Sequence, residues 1–172
     1  MRQKNLPSYC VIAIFSDWCY NNFMNKKNGV TIMVLKDFRI THSTLIEHYQ
    51  FIEAHLEGIY AAISDKPFHI GVQEVEKGSL SGAIREIREL EKEKNVTIFT
   101  EDEYAQLRQI VERRNFWCHC CYFEMSFDLK TGGPAKVRDV QTMFEDLQTA
   151  EAWRQLLFHK KIDLLKEKSN TN

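Results

Sequence analysis

Arg114, Asn115 and His119 are the residues of this 172-residue chain whose types and spacing could do chemistry. They stand in the run 109–125, Q-I-V-E-R-R-N-F-W-C-H-C-C-Y-F-E-M, inside one predicted helix. An imidazole can take or give a proton near neutral pH. A guanidinium grips phosphate oxygens through paired N–H bonds. Asn115 is four residues before His119, on the same helix face, where it can orient the imidazole or a substrate. Arg114 and His119 are five apart and would project about 140° apart on a regular α-helix. Leu107, Ile110, Val111, Cys118, Cys121 and Met125 recur at helical spacing as an apolar stripe, and Arg114 falls on it. Burying a guanidinium costs several kcal/mol unless it is paired or functional. The pattern therefore predicts one of two things. Either a carboxylate such as Glu112, Glu124 or Asp146 neutralises Arg114, or the stripe is a surface on which Arg114 works.

The order Arg-Asn-x-x-x-His inside a late helix resembles the signature of the HEPN (higher eukaryotes and prokaryotes nucleotide-binding) superfamily. Its members are small helical bundles, many of them metal-independent ribonucleases. The resemblance covers this motif and the all-helical chain around it. It implies His119 as general acid or base, Arg114 as the clamp on the phosphate and Asn115 as the orienting residue. Arg108, Arg113 and Tyr122 are the expected substrate contacts, and no metal or cofactor is expected. The resemblance further implies a homodimer through the motif helix, with two motif copies meeting in a cleft that receives RNA. An arginine on an apolar stripe would then belong to a subunit interface. Membership of a toxin or defence system, with a cognate antitoxin as partner, is also implied. Some toxin members carry a tyrosine two residues after the histidine that such an antitoxin modifies; Tyr122, three residues after His119, departs from that spacing. The reading from a different class is a non-catalytic helical interaction protein in which Arg114 and His119 only specify an interface.

Composition sets limits on both readings. The chain is 44% hydrophobic and 27% charged, with net charge -1, so it has no global basic field for nucleic acid. RNA would need a local patch, for which Arg108, Arg113, Arg114, Arg85 and Arg88 are candidates. The five cysteines, Cys10, Cys19, Cys118, Cys120 and Cys121, are odd in number and follow no disulfide framework, which predicts a reducing cytoplasm. The apolar run 9–15 is too short to span a membrane, and no membrane association is expected. Cys118 and Cys121 have zinc-ligand spacing, but the second pair would have to be Cys10 and Cys19; small thiols packing a helix are the simpler expectation.

The elements that must position the motif read as all-α, an antiparallel four-helix-type bundle over 41–172 preceded by an N-terminal extension, 1–40. In the extension the apolar runs 9–15 and 30–35 flank turn material ending in Asn28-Gly29 and form a hairpin or short helices. A first helix runs over 41–63, with Leu45, Tyr49, Ile52, Leu56, Ile59 and Ile63 inward and His42, His48 and His55 solvated. Pro67, Gly71 and Gly78 mark 65–79 as a connection with one extended turn at 69–72. Leu80–Lys94 is helical with Ile84, Ile87 and Leu90 inward. Thr100-x-x-Glu103 is a capping box opening the motif helix, which continues to about residue 127 before Gly132-Gly133-Pro134. The last helix spans 137–166, with Val140, Phe144, Leu147, Trp153, Leu156, Leu157, Ile162 and Leu165 as its core face, and a frayed polar tail follows.

Overall fold

A computed structural model describes residues 25–27, 30–32, 35–75, 78–130 and 132–170. The run 9–15, Cys10 and Cys19 lie outside these residues. Strands β1 (Asn25–Lys27) and β2 (Val30–Ile32) pair antiparallel with Lys27 opposite Val30. The partner of the 30–35 run therefore comes from the expected turn material. The rest is an all-α bundle: α1 (Leu35–Ile63), α2 (Phe68–Val75), α3 (Leu80–Lys94), α4 (Glu101–Asn115), a π-helical turn (Phe116–Cys120), α5 (Cys121–Glu124) and α6 (Val137–Asn170).

Helix α1 starts at Leu35, earlier than the cap residues predicted it. Phe38 is fully buried and Thr41 is buried inside the helix, so the apolar face simply extends one turn and more towards the N-terminus. Phe38, Leu45, Ile52 and Ile59 recur at seven-residue spacing on α1, as Met143, Ala150 and Leu157 do on α6, and all seven are fully buried. These two long helices lie side by side in parallel. His48 meets Glu151, Gly58 lies against Lys161, and the Lys168 ammonium donates to the Ala61 and Ser64 carbonyls. That last contact satisfies carbonyls at the α1 C-terminus and accounts for α6 continuing to Asn170 rather than fraying after residue 166. Leu156, expected in the core, is 38% exposed, while Met143 and Ala150 take its place.

The predicted connection 65–79 contains helix α2. Pro67 sits just before its first turn, where the missing N–H costs nothing, and its carbonyl accepts from the Ile70 and Gly71 N–H groups. Gly71 acts here as a packing residue and not a breaker, since a Cβ would lie 2.9 Å from the Ala61 Cα of α1. Tyr60 donates to Glu74, closing an antiparallel α1–α2 pair. Ser79 caps α3 at one end by accepting from the Gly82 N–H, and Asn95, in the left-handed region at φ 52°, ends it.

The turn from α3 into α4 is organised by Glu91, a carboxylate only 7% exposed. It accepts from the Ile98 and Phe99 N–H groups and from the Tyr104 hydroxyl. Thr100 and Glu103 form the expected capping box. Lys160 of α6 holds Glu103, and Arg113 near the other end of α4 holds Asp146 of α6, so α4 runs antiparallel to α6. The bundle ends gather accordingly. The end of α1, the end of α3, the segment 96–98 that leads into α4 and the end of α6 line one pocket of about 550 Å³. The motif sits at the other end.

The three histidines of α1 are not solvated. His42 is half-buried, His48 is paired with Glu151 at 3.0 Å, and His55 is 8% exposed between Phe51 and Phe158. The α1–α6 seam is wider than the apolar stripe alone indicates, and α6 covers the rings of His48 and His55, while Trp117 and Tyr122 flank that of His42. Burial, with repulsion from Lys161 and Arg154 added, holds the His55 imidazole down to about 4. His55 is thus neutral when folded and protonates near its ordinary value of 6.5 when unfolded. Its contribution to stability is complete above about 6.5 and is lost as pH falls towards about 4. His48, lowered by burial, acts in the same direction. The urea midpoint at pH 5 is expected to lie below that at pH 7, and His55→Phe reduces the drop. The slope from one such group is at most about 1.4 kcal/mol per pH unit. An undiminished drop in the variant would place the pH sensitivity elsewhere.

Candidate functional site

Consecutive arginines at the end of α4 face different helices. Arg113 points to α6, where its guanidinium donates from Nε and Nη2 to the Asp146 carboxylate and lies 5.5 Å from the centre of the Phe116 ring. Asp146 also accepts from the Trp117 indole N–H at 2.6 Å. The Asp146 side chain is 14% exposed, and its carboxylate raises the already high pKa of Arg113. Arg113, an expected substrate contact, has its Nε and Nη2 engaged by Asp146, with 38% of its side chain exposed.

Arg114 faces α1. It lies 3.8 Å from the Glu53 carboxylate, and its guanidinium donates to the Asn115 side-chain oxygen at 3.3 Å. Its side chain is 29% exposed. The arginine predicted on the apolar stripe therefore stands at the stripe's margin, and neither Glu112, Glu124 nor Asp146 is its partner. The deeply buried position nearby belongs to Trp117, 1% exposed, while Cys118 is half-buried. Asp146 explains this placement, because it gives the indole N–H a buried acceptor.

The motif helix does not continue as α-helix to residue 127. It passes through the π turn Phe116–Cys120, resumes as α5 and ends at Met125, whose backbone is extended. The Cys121 N–H donates to the Phe116 carbonyl, five residues back. Closing on the fifth residue brings positions five apart towards the same face. The angle of about 140° that a regular helix sets between Arg114 and His119 is thereby narrowed. Asn115 and His119 are both exposed. His119 makes no hydrogen bond or ion pair among the described residues, and Arg108 is likewise exposed and unengaged. Tyr122, 55% exposed, stacks on Phe127 with ring centres 5.5 Å apart. Asn115 and His119 thus stand exposed on the helix surface, Arg114 is half-buried between that helix and α1, Arg108 precedes them on the same helix, and Arg113 is turned towards α6.

That surface is open. The pockets of about 550 and 410 Å³ are lined by other residues, the second by Tyr49, Gln109, Arg113, Asp146 and Trp153 between α4 and α6. Beyond the π turn, Phe123 and Leu129 are 90% and 102% exposed. Among the described residues Cys118, Cys120 and Cys121 are free thiols, and burial pushes the pKa of Cys118 and of Cys121 up. Thiols held protonated are poor nucleophiles and poor metal ligands. Among the described residues no group of three His, Cys, Asp or Glu side chains is placed to hold a metal ion. No described helix is long and apolar enough to cross a membrane.

Two contributors escaped the sequence reading and a third was assigned to the wrong arginine. Glu53 and His42 lie on α1, more than sixty positions before the motif, and no local signal marks them. Asp146 was visible as a candidate partner, but for the wrong arginine. Removing it should show its importance. Asp146→Ala is expected to cost about 2–3 kcal/mol, below the range for a fully buried pair, because 38% of the Arg113 side chain remains exposed. Urea unfolding checks the cost, and near-ultraviolet circular dichroism reports the released Trp117 ring. An unchanged midpoint would show that the carboxylate does not hold the motif helix.

No family model, curated protein or solved structure matches the chain, so its functional reading rests on these residues and their geometry.

Proposed function

We propose that the chain is a HEPN-like protein that cleaves RNA without a metal ion, as part of a toxin or defence system in the cytoplasm. The observation that carries this reading is a π turn set between the Arg114–Asn115 pair and His119, which is exposed and unengaged among the described residues. π turns inside α-helices recur at functional sites. The chemistry suits these side chains. A base removes the proton of the ribose 2′-hydroxyl, whose oxygen attacks the adjacent phosphorus. The bond from phosphorus to the 5′-oxygen breaks as an acid protonates that oxygen, and the product carries a 2′,3′-cyclic phosphate. Arg114 stabilises the charge gathered on the crowded phosphate, and Asn115 fixes the guanidinium or the substrate.

One histidine cannot be base and acid in the same step. A homodimer through the motif helix supplies the second His119, and the exposed Phe123 and Leu129 support such a face. Arg108 and Tyr122 are then substrate contacts at the cleft margin. A cognate antitoxin would cover this cleft. The second reading, a non-catalytic interaction protein, draws on the same exposed apolar residues and on Glu53 partly neutralising Arg114.

The test compares wild type, Arg114→Ala and His119→Ala on a labelled RNA pool in EDTA, with folding and self-association measured on each. Wild type is expected to cleave, and each folded variant to lose on the order of 10²-fold or more. Absence of cleavage by folded wild type across varied RNAs would favour the interaction protein.

A further inference from the structure

His42 and the π turn share a hydrogen bond that neither the motif nor its chemistry explains. In an α-helical register the Cys121 N–H would donate to the Trp117 carbonyl, four residues back. Here it donates to the Phe116 carbonyl instead. The Trp117 carbonyl thereby loses its helical partner in a residue that is 1% exposed, where an unpaired acceptor is costly. His42 of α1 fills the vacancy. Its Nε2 lies 2.9 Å from the Trp117 oxygen, and the Cys121 thiol approaches the same oxygen at 3.3 Å. A carbonyl only accepts, so Nε2 carries the proton and the tautomer is fixed. The ring is also held from the sides. It stacks on Phe38 at 5.7 Å and 14°, and meets Tyr122 edge-on at 5.8 Å and Trp117 at 6.1 Å. Phe38 is fully buried and belongs to the core.

We propose that His42 is the positioning residue of the motif, holding the helix in its π register and thereby setting His119 relative to Arg114 without touching either. The two registers are alternatives. Each gives the Cys121 N–H one carbonyl; in the π register the Trp117 oxygen is left to the His42 N–H and the Cys121 thiol, whereas in the α register the Cys121 N–H competes with them for its two lone pairs. Passing to the α register removes the extra residue of the turn. Everything beyond it then rotates by about 100° relative to Arg114, and His119, inside the turn, returns towards the angle of about 140° from Arg114 that a regular helix sets. The consequence for catalysis rests on the ribonuclease reading; the consequence for helix register does not.

The experiment separates these consequences. Through-hydrogen-bond N–C′ couplings in the labelled, deuterated full chain identify which carbonyl the Cys121 N–H uses. Wild type is expected to couple Cys121 to Phe116, with His42 as the Nε2–H tautomer. His42→Phe keeps the aromatic contacts without the donor and is expected to couple Cys121 to Trp117. His42→Gln restores an N–H at similar reach and is expected to return to Phe116. Retention of the Phe116 coupling in His42→Phe, or a Trp117 coupling in wild type, would overturn the proposal. If His42→Phe fails to fold, His42→Gln decides: a Trp117 coupling there would overturn it equally. Cleavage is then measured on the same samples, where misplacing His119 is expected to cost on the order of 10²-fold in His42→Phe and little in His42→Gln. An inactive wild type in the π register would sink the ribonuclease reading and leave the register role standing. A register change with undiminished cleavage would refute the positioning role alone.

Discussion

The Asp146 carboxylate receives Arg113 from the last turn of α4 and the Trp117 indole from the π turn, and so fixes the motif helix to α6 on both flanks of Arg114. With Arg113 and Trp117 committed inward, Arg114 is turned towards Glu53 and Asn115 towards solvent. The capping box at Thr100 and the Lys160–Glu103 contact fix the opposite end of the same helix. The bundle thus presents a helix whose rotation about its own axis is determined. That rotation is a condition for any chemistry depending on which side chains reach the surface.

The elements legible in the sequence are those whose signals are local. Helix α3 has a serine cap and a closing asparagine, and its bounds are the predicted ones. The capping box was readable because both partners lie within four residues. Helix α2 was missed because Pro67 and Gly71 carry two meanings, breaker and helix-start or packing residue, and only the approach of Ala61 selects between them. Glu91 was missed because charged residues on a Glu/Lys-rich helix usually face water. Here the N–H groups of Ile98 and Phe99, drawn out of water ahead of α4, required a buried acceptor. The histidines of α1 looked solvated because what covers them, α6 over His48 and His55 and the π turn over His42, is a tertiary property.

The motif was legible as residue types and not as geometry. Counting at 100° per residue sets Arg114 and His119 too far apart, and no pattern in F-W-C-H-C announces a π turn. The turn depends on a carbonyl acceptor exchange completed by His42, which is 75 positions from Trp117. The cysteines around His119 read as small packing thiols in spite of their zinc-ligand spacing, and burial pushes the pKa of Cys118 and Cys121 up. What remains chemically available on that surface is an imidazole, a guanidinium and an amide. This is the set that moves protons and stabilises phosphate charge.

The most direct measurement of that account uses an RNA that differs only at the attacking group. Wild-type protein in excess EDTA is given an all-ribose RNA and the same RNA bearing 2′-O-methyl groups, and the product termini are read by mass spectrometry. The account predicts cleavage of the first to 2′,3′-cyclic phosphate ends and none of the second. Cleavage of the methylated RNA, or products ending in a 3′-hydroxyl, would contradict it, because attack would then come from water and not from the ribose.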